Sequence, residues 1–234
     1  MEIANHKLEV SCRFRADPFD NYSTMSRELI LSMSVSIDGF VAGPNGEHDW
    51  MLPARSEEST KWLSDQFGQV GLHAMGHESW EMGAFWPTAT GPFAGPMNEI
   101  PKAVFSRTGS LSPARLEKIS AAIKEATKDK NVDQAIIDSW LKPIVTGKDL
   151  VADINRLKAE GGKPINAIGG ASFASSLIAA HLVDVFRLAV HPVALGRGLP
   201  IFAELESPLR FKLEDLKQFD TGAVIKIYRP VYTP

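Results

Sequence analysis

The segment with the clearest chemical potential is a short apolar run that ends at two glycines and leads into a helical pattern. Residues Ile165–Ile168 form the run, Gly169 and Gly170 end it, and Phe173 and Leu177 then stand four residues apart. A strand, a glycine turn and a helix in this order direct the free backbone N–H groups of the helix start toward an anion. Glycines also let the backbone approach a pyrophosphate, because no Cβ intervenes. The segment predicts a nucleotide-phosphate site, although glycine pairs also join strands to helices where no ligand binds.

Three further segments carry polar groups that suit phosphates and ribose. They are Ser34–Gly43 with Trp50–Ala54 just beyond it, Met75–Glu81, and Phe105–Thr108. Arg107 is a planar cation suited to a phosphate, and serine hydroxyls at strand ends can donate to phosphate oxygens. Taken alone, Ser106–Thr108 is more typical of a solvated turn, and Gly76 of a plain turn glycine, than of a phosphate site. The case for a nucleotide site depends on all of the segments together.

The elements that must position these groups alternate along the chain. Strand patterns cover 29–35, 70–75, 103–105 and 183–190, and two more strands surround Thr221-Gly222 within 211–232. Helices are predicted at about 56–67 with Ser56 as N-cap, at Gly76–Met82, after Ser112, after Gly147 and after Gly170. Residues 83–101 are predicted to be mostly loop, with one helical turn near Met97. This order predicts an α/β fold whose sheet is mixed, because strands are adjacent only at the C-terminus.

Two of the predicted helices show an apolar face. The helix after Ser112 carries Leu116, Ile119 and Ile123 at helical spacing, and the one after Gly147 carries a second stripe that includes Val151. Each stripe is expected to pack on the sheet. The alternating residues 7–15 predict a half-buried strand within an N-terminal extension, residues 1–26, which precedes the main domain of 27–234.

The composition excludes several classes of protein. The chain has 234 residues, 44% hydrophobic and 23% charged, which is typical of a globular protein. A net charge of −3 without a basic run argues against nucleic acid as a partner. Cys12 is the sole cysteine, so no intrachain disulfide can form. There is no signal-peptide pattern and no metal-ligand spacing, and serines, Asn166 and His181 interrupt the charge-free stretch 164–183. We therefore expect a soluble, cytoplasmic protein without a membrane span or a metal.

The order and spacing of the four segments resemble the dihydrofolate reductase fold, and most closely the reductase domain of bacterial riboflavin biosynthesis, over roughly Arg27 to Pro230. The resemblance implies a predominantly parallel central sheet flanked by helices with antiparallel C-terminal strands. It also implies NADPH as cofactor, a homodimer, and hydride transfer to a C=N or C=O bond of a small heterocyclic or sugar-derived substrate. In the riboflavin pathway this substrate is 5-amino-6-(5-phosphoribosylamino)uracil.

Site residues carry over from the family by position. Gly76, His77, Glu78 and Ser79 would contact phosphate and ribose, while Ser106, Arg107 and Thr108 would hold the adenine and the 2′-phosphate. The remaining cofactor residues are Ala42 and, for the pyrophosphate, Gly169, Gly170, Ala171, Ser172, Phe173 and Ala174. The substrate-binding residues are Ser34, Trp50 and Arg55. The resemblance does not identify a catalytic residue.

Two positions depart from the family pattern. Family members commonly have arginine where His77 stands, and Glu78 adds a negative charge, so the preference for NADPH over NADH is weakened. Dihydrofolate reductases carry an acid five residues after the tryptophan, where this chain has Arg55, and a guanidinium keeps its proton near neutral pH. Folate reduction is therefore disfavoured, and an anionic substrate such as a sugar phosphate or carboxylate is favoured. Arg55 as a solvated residue before a helix is an equally good interpretation.

Two other functions stay open: a nucleotide-binding protein that has lost catalysis, and a divergent dihydrofolate reductase. Among further polar residues, Asp38 fits turn chemistry better than a proton relay. His48 and Asp49 are expected to be exposed beside Trp50. His191 is expected at a strand end near the proposed site, where packing is favoured over catalysis.

Overall fold

The computed structural model describes residues 26–232, and the strand predicted at 7–15 lies outside them. An eight-stranded sheet forms the centre of the domain, with the order β5-β4-β3-β6-β1-β7-β10-β9. Strands β5 through β7 in this order are parallel, whereas β10 and β9 are antiparallel to their neighbours. The strands are β1 Leu29–Ser36, β2 Phe40–Ala42, β3 Leu72–Gly76, β4 Lys102–Phe105, β5 Ile144–Thr146, β6 Ile165–Ile168, β7 Val185–His191, β8 Leu199–Pro200, β9 Arg210–Gln218 and β10 Val224–Val231, with β2 and β8 paired separately.

The helices begin where the sequence provides caps. Ser56 accepts a hydrogen bond from the Ser59 backbone N–H at the start of α1, and Ser112 caps α4 ahead of Pro113. The helices are α1 Glu57–Gly68, α2 His77–Met82, α3 Ala94–Glu99, α4 Pro113–Thr127, α5 Gln134–Leu141, α6 Leu150–Ala159 and α7 Ala171–Ala179, with 3-10 helices at Asp49–Ala54 and Gly83–Thr88. The α/β class with a mostly parallel sheet is confirmed, and α5, β2, β5 and β8 are additions to the predicted elements. Residues 83–101, predicted to be mostly loop, contain a 3-10 helix and α3, so most of the segment is helical.

The topology brings the ends of the parallel strands to one edge of the sheet. The chain leaves β1, builds β3, β4 and β5 outward on one side, and returns through β6 to fill the gap beside β1. It then crosses to β7 on the other side of β1. Ligands of open α/β sheets bind outside the carboxyl ends of the strands, where the strand order reverses. This edge is therefore the expected position of a site.

The two faces of the sheet differ in polarity. On one face, α6 and α7 pack on a continuous apolar cluster that includes Leu31, Ala167 and Phe186. On the other face, a row of polar side chains crosses the five neighbouring strands β4, β3, β6, β1 and β7: Lys102, His73, Asn166, Ser32 and Arg187. Neighbours in this row are register partners except Asn166 and Ser32, which are offset by two residues and joined by a hydrogen bond from Ser32 Oγ to Asn166 Oδ1 at 2.6 Å. All of them except the half-buried Ser32 are buried. Within residues 26–232, no carboxylate forms an ion pair with either cation of the row.

The stability of the protein should depend on pH through His73. Its Nε2–H donates to the Pro96 carbonyl at 3.1 Å, its Nδ1 has no partner, and burial lowers its pKa to about 4. Between pH 7 and pH 5 the unfolded chain gains a proton at this residue that the folded chain does not. The free energy of unfolding should fall by about 2 kcal/mol over this range. Urea unfolding at both pH values measures the change, and H73Q should flatten it; an equal slope in H73Q would contradict the assignment.

Candidate active site

A cleft of about 750 Å³ runs along the carboxyl edge of the parallel strands, a volume within the range of small-molecule sites. It is lined by most of the residues predicted to bind the cofactor: Ala42, Gly76, His77, Glu78, Ser79, Ser106, Arg107, Gly169, Gly170, Ala171, Ser172 and Phe173. Segments that are far apart in sequence thus meet in one groove. The structure does not place Thr108 or Ala174 in this lining.

The glycine pair and the start of α7 form the narrow part of the cleft. Gly169 has a φ of +71°, and a Cβ on it would lie 2.7 Å from Ser79 Oγ, so only glycine lets α2 approach this closely. No side chain caps α7. The backbone N–H groups of its first turn have no helical carbonyl partners, and the helix dipole places partial positive charge there. This cradle fits the pyrophosphate of a dinucleotide.

Thr108 and Ala174 support the cleft from outside. Ala174 is fully buried in the core, and its backbone N–H donates to the Gly170 carbonyl, so it has no donor left for a phosphate. The Thr108 hydroxyl lies 3.1 Å from Ser106 Oγ and donates to the Ser110 carbonyl. It stabilises the turn that presents Ser106 and Arg107.

The end of the cleft beside β4, which we call the outer end, carries both positive and negative side chains. Arg107 is exposed and lines the groove, and within the described part of the chain no lysine or other arginine does so. Its guanidinium forms no ion pair with any residue of 26–232. His77 has a buried Nδ1 without a partner, and Glu78 is exposed beside it. Arg107 and His77 together can hold a phosphate. They bring less positive charge than the two arginines expected where the position of His77 is also arginine, as is common in the family that the sequence resembles.

At the opposite end of the cleft, beside β1, a small pocket adjoins the cleft, and Ser34 lines both. We call this the inner end. Arg55 lines this pocket, and the side chain of Arg55 forms no ion pair within residues 26–232. Trp50 lies outside both linings, but its ring meets the His191 ring edge-on at 5.5 Å. The residues predicted for the substrate are therefore gathered at one end, around Ser34.

His191 lies near the site, at this inner end, as the sequence suggested, but its contact with Ser34 was not predicted. Its Nε2 lies 3.2 Å from Ser34 Oγ, and it lines the small pocket. Burial, and secondarily the nearby Arg55 guanidinium, lower the pKa of His191 below its usual range. The one sequence signal for this position is a histidine at the end of a strand predicted to be parallel.

The other polar candidates are resolved by their contacts. The Asp38 carboxylate accepts hydrogen bonds from Ser36 Oγ and from the backbone N–H groups of Leu195 and Gly196, which lowers its pKa to about 2. This is the predicted turn role. His48 and Asp49 are exposed as expected, and His48 lines the cleft.

An apolar rim borders the cleft and was not predicted, because its residues lie in the segment 83–101 or beside it. Met82 and Phe85 are 62% and 55% exposed, and the Phe85 ring lies against Trp86 at a centroid distance of 4.6 Å, with the two ring planes tilted by 32°. All three side chains line the cleft together with Met51. The rim can cover a planar ring that lies in the groove.

In the part of the chain that the structure describes, no group of three or more histidine, cysteine or acidic residues could hold a metal ion. None of its helices has the length and apolar composition needed to span a bilayer.

Comparison with known proteins gives one family and a consistent fold. Residues 27–225 match the family model of the RibD C-terminal domain. The uncharacterized protein YyaP of Bacillus subtilis is 29% identical over 202 residues, which cover 86% of this chain and 94% of that protein. A putative riboflavin biosynthesis protein from Shewanella sp. PV-4 has a TM-score of 0.62 at 21% identity, covering 88% and 99% of the two chains. Dihydrofolate reductase from Enterococcus faecalis, complexed with NADP(H), has a TM-score of 0.51 at 14% identity, covering 88% and 98%.

Proposed function

Because the chain belongs to the RibD C-terminal domain family, we propose that it is an NADPH-dependent reductase of a small heterocyclic or sugar-derived substrate. The substrate named for the family's riboflavin-pathway reductase, 5-amino-6-(5-phosphoribosylamino)uracil, is the compound to test first. The observation that carries the proposal is the cradle at Gly169, where a Cβ would collide with Ser79 beside the uncapped start of α7. Such a cradle suits a dinucleotide pyrophosphate.

The other cleft residues divide between the two ends of the dinucleotide. Ser106, Arg107 and His77 would hold the adenosine and its 2′-phosphate, and the nicotinamide would lie toward Ala42 and Ser34. When bound, the cofactor supplies a hydride, and the protein supplies position and electrostatics. The Enterococcus enzyme of similar fold is described as a complex with NADP(H), which supports this choice of cofactor.

Incubation with NADPH and the candidate substrates tests the proposal by following the absorbance of the reduced nicotinamide. Consumption with 5-amino-6-(5-phosphoribosylamino)uracil supports a reductase of the riboflavin-pathway type. Binding of NADPH without turnover of any substrate would favour a non-catalytic nucleotide-binding protein, and efficient reduction of dihydrofolate would favour a divergent dihydrofolate reductase.

We further propose that the substrate is anionic and that Arg55 binds its charged group. R55A should raise the KM for a phosphoribosyl substrate roughly tenfold or more, because a hydrogen bond to a charged group contributes about 1.5–3 kcal/mol. R55K should recover part of the affinity through its charge without the planar two-donor geometry. Steady-state kinetics measure both variants. An unchanged KM in R55A would show that the side chain is only solvated.

The quaternary state that we propose is a homodimer, with the predicted strand at 7–15 buried on protein. An isolated strand is not stable in water, so its apolar face needs a covering surface. Sedimentation of the full chain and of a chain that starts at Met25 tests this. We expect the shortened chain to dissociate more readily or to melt at a lower temperature. Two monomers of equal melting temperature would contradict the proposal.

A further inference from the structure

Reduction of a C=N or C=O bond needs a proton as well as a hydride, and few groups near the inner end of the cleft can deliver one. Among the described residues, the only carboxylate that lines the cleft is Glu78, which stands with the phosphate-binding segments at the outer end. Asp38 is held by two backbone N–H groups and a hydroxyl. Two histidines line the inner end, His191 and the exposed His48, and Ser34 is the one residue of 26–232 that lines both the cleft and the small pocket.

Ser34 and His191 are arranged as a connected pair. Ser34 is half-buried and lines both the cleft and the small pocket, so its hydroxyl stands at their junction. His191 lies behind it, 6% exposed, with Nε2 at 3.2 Å from the hydroxyl oxygen. The Trp50 ring packs on the imidazole, and Nδ1 has no hydrogen-bond partner within residues 26–232. The imidazole is thus shielded from bulk solvent and joined to the cleft through one hydroxyl.

We infer that the Ser34 hydroxyl donates the proton that completes the reduction and that His191 resupplies it, an inference that rests on the proposed reductase function. A reduced nicotinamide held by the cleft residues named above would supply the hydride to the substrate carbon, and the electron pair of the C=N or C=O bond would then stay on the heteroatom. The heteroatom takes the proton of Ser34 Oγ while the Nε2–H proton of His191 moves to that oxygen. The imidazolium becomes neutral imidazole, and water returns its proton after the product leaves.

The charges around His191 determine the pH range in which its imidazole is protonated and can resupply Ser34. Arg55 is the charged residue of the small pocket, and the α1 and β9–β10 residues that line it are uncharged. Within the described chain, no carboxylate hydrogen-bonds to either ring nitrogen. The fraction of His191 in the imidazolium form decreases as the pH rises through its pKa. Burial and Arg55 lower that pKa, so the imidazolium form is favoured only at more acidic pH. Turnover should therefore be higher at mildly acidic than at neutral pH.

Kinetics of H191Q and S34A test the pair, with NADPH and 5-amino-6-(5-phosphoribosylamino)uracil as substrates. We expect kcat to fall by about 10²–10⁴ in both variants, the usual contribution of a positioned proton donor, while the calorimetric affinity of H191Q for NADPH is unchanged. In H191Q, kcat should also no longer increase between neutral and mildly acidic pH. H181Q is the control, because His181 stacks on Tyr232 after the end of α7, away from the cleft. Loss of turnover in H48Q with retention in H191Q would overturn the inference and assign the proton to His48.

A second readout does not depend on turnover. Nitrogen-15 NMR of the His191 ring gives its pKa, which R55Q should raise because a neighbouring positive charge is removed. The pH at which kcat falls should rise together with it. If R55Q shifts the ring pKa while the kinetic profile stays in place, His191 has a structural role only. If the wild type consumes no NADPH, the reductase function fails; if it does and H191Q matches it at every pH, only this inference fails.

Discussion

G170V should lower the affinity for NADPH roughly a hundredfold or more. Gly170 is the N-cap of α7, and the N–H groups that follow it are the donors proposed for the pyrophosphate. A branched side chain there would stand between these donors and the phosphates, and loss of two hydrogen bonds to a charged group costs about 3 kcal/mol or more. Isothermal titration calorimetry of NADPH into the wild type and the variant measures the change.

The control for G170V must carry the same backbone strain without touching the cradle. Gly196 has a φ of +72°, against +71° for Gly170, and a Cβ on Gly196 would meet nothing within 4 Å. G196V should therefore lose a similar amount of stability, about 1–2 kcal/mol for a left-handed L-residue, and keep its affinity. Equal affinities of G170V and the wild type would remove the pyrophosphate from this position.

The limits of sequence reasoning are visible in α7 itself. The glycine pair predicted the turn and the helix that follows, and the structure has both. For the predicted contact of Ala174 with the pyrophosphate, the structure offers no free backbone donor, for a reason that helical geometry supplies. Ala174 is one turn beyond Gly170, on the stripe that continues to Leu177 and Ile178, and all three are buried. Only the first turn of a helix has free N–H groups to offer.

Helical periodicity was also only partly informative for the surface helices. Ile119 and Ile123 of α4 are buried as predicted, but Leu116 is 39% exposed, and Val151 of α6 is 46% exposed. Both residues stand within the first turn of their helices, and the buried part of each apolar stripe begins after that turn. Strand β5 was missed because it has three residues at the edge of the sheet, two of them exposed, which leaves no alternation to detect.

The contact of His191 with Ser34 could not be predicted from sequence patterns. This contact joins residues 157 positions apart and depends on β7 pairing in parallel beside β1. The sequence predicted both strands, but it did not give their order in the sheet or their register. The phosphate segments were found because glycine and serine have local signatures, whereas the inner end of the cleft is assembled from tertiary contacts.

R107A should weaken NADPH binding about tenfold or more and leave NADH nearly unchanged. Arg107 is exposed in the turn after β4, makes no ion pair within residues 26–232, and lines the cleft where the 2′-phosphate is proposed to lie. A charge-assisted hydrogen bond to phosphate contributes about 1.5–3 kcal/mol. NADH lacks this phosphate, so its affinity has no such contribution to lose.

R210A is the matched control, because Arg210 is exposed at the start of the edge strand β9, outside the cleft, and its loss changes the net charge equally. The discrimination should shrink at high ionic strength, since an exposed charge is screened by salt. Titration of both cofactors at low and high salt measures it. A parallel loss for NADH and NADPH in R107A would mean that Arg107 supports the turn that holds Ser106. His77 would then be the remaining candidate for the 2′-phosphate, because Glu78 would repel it.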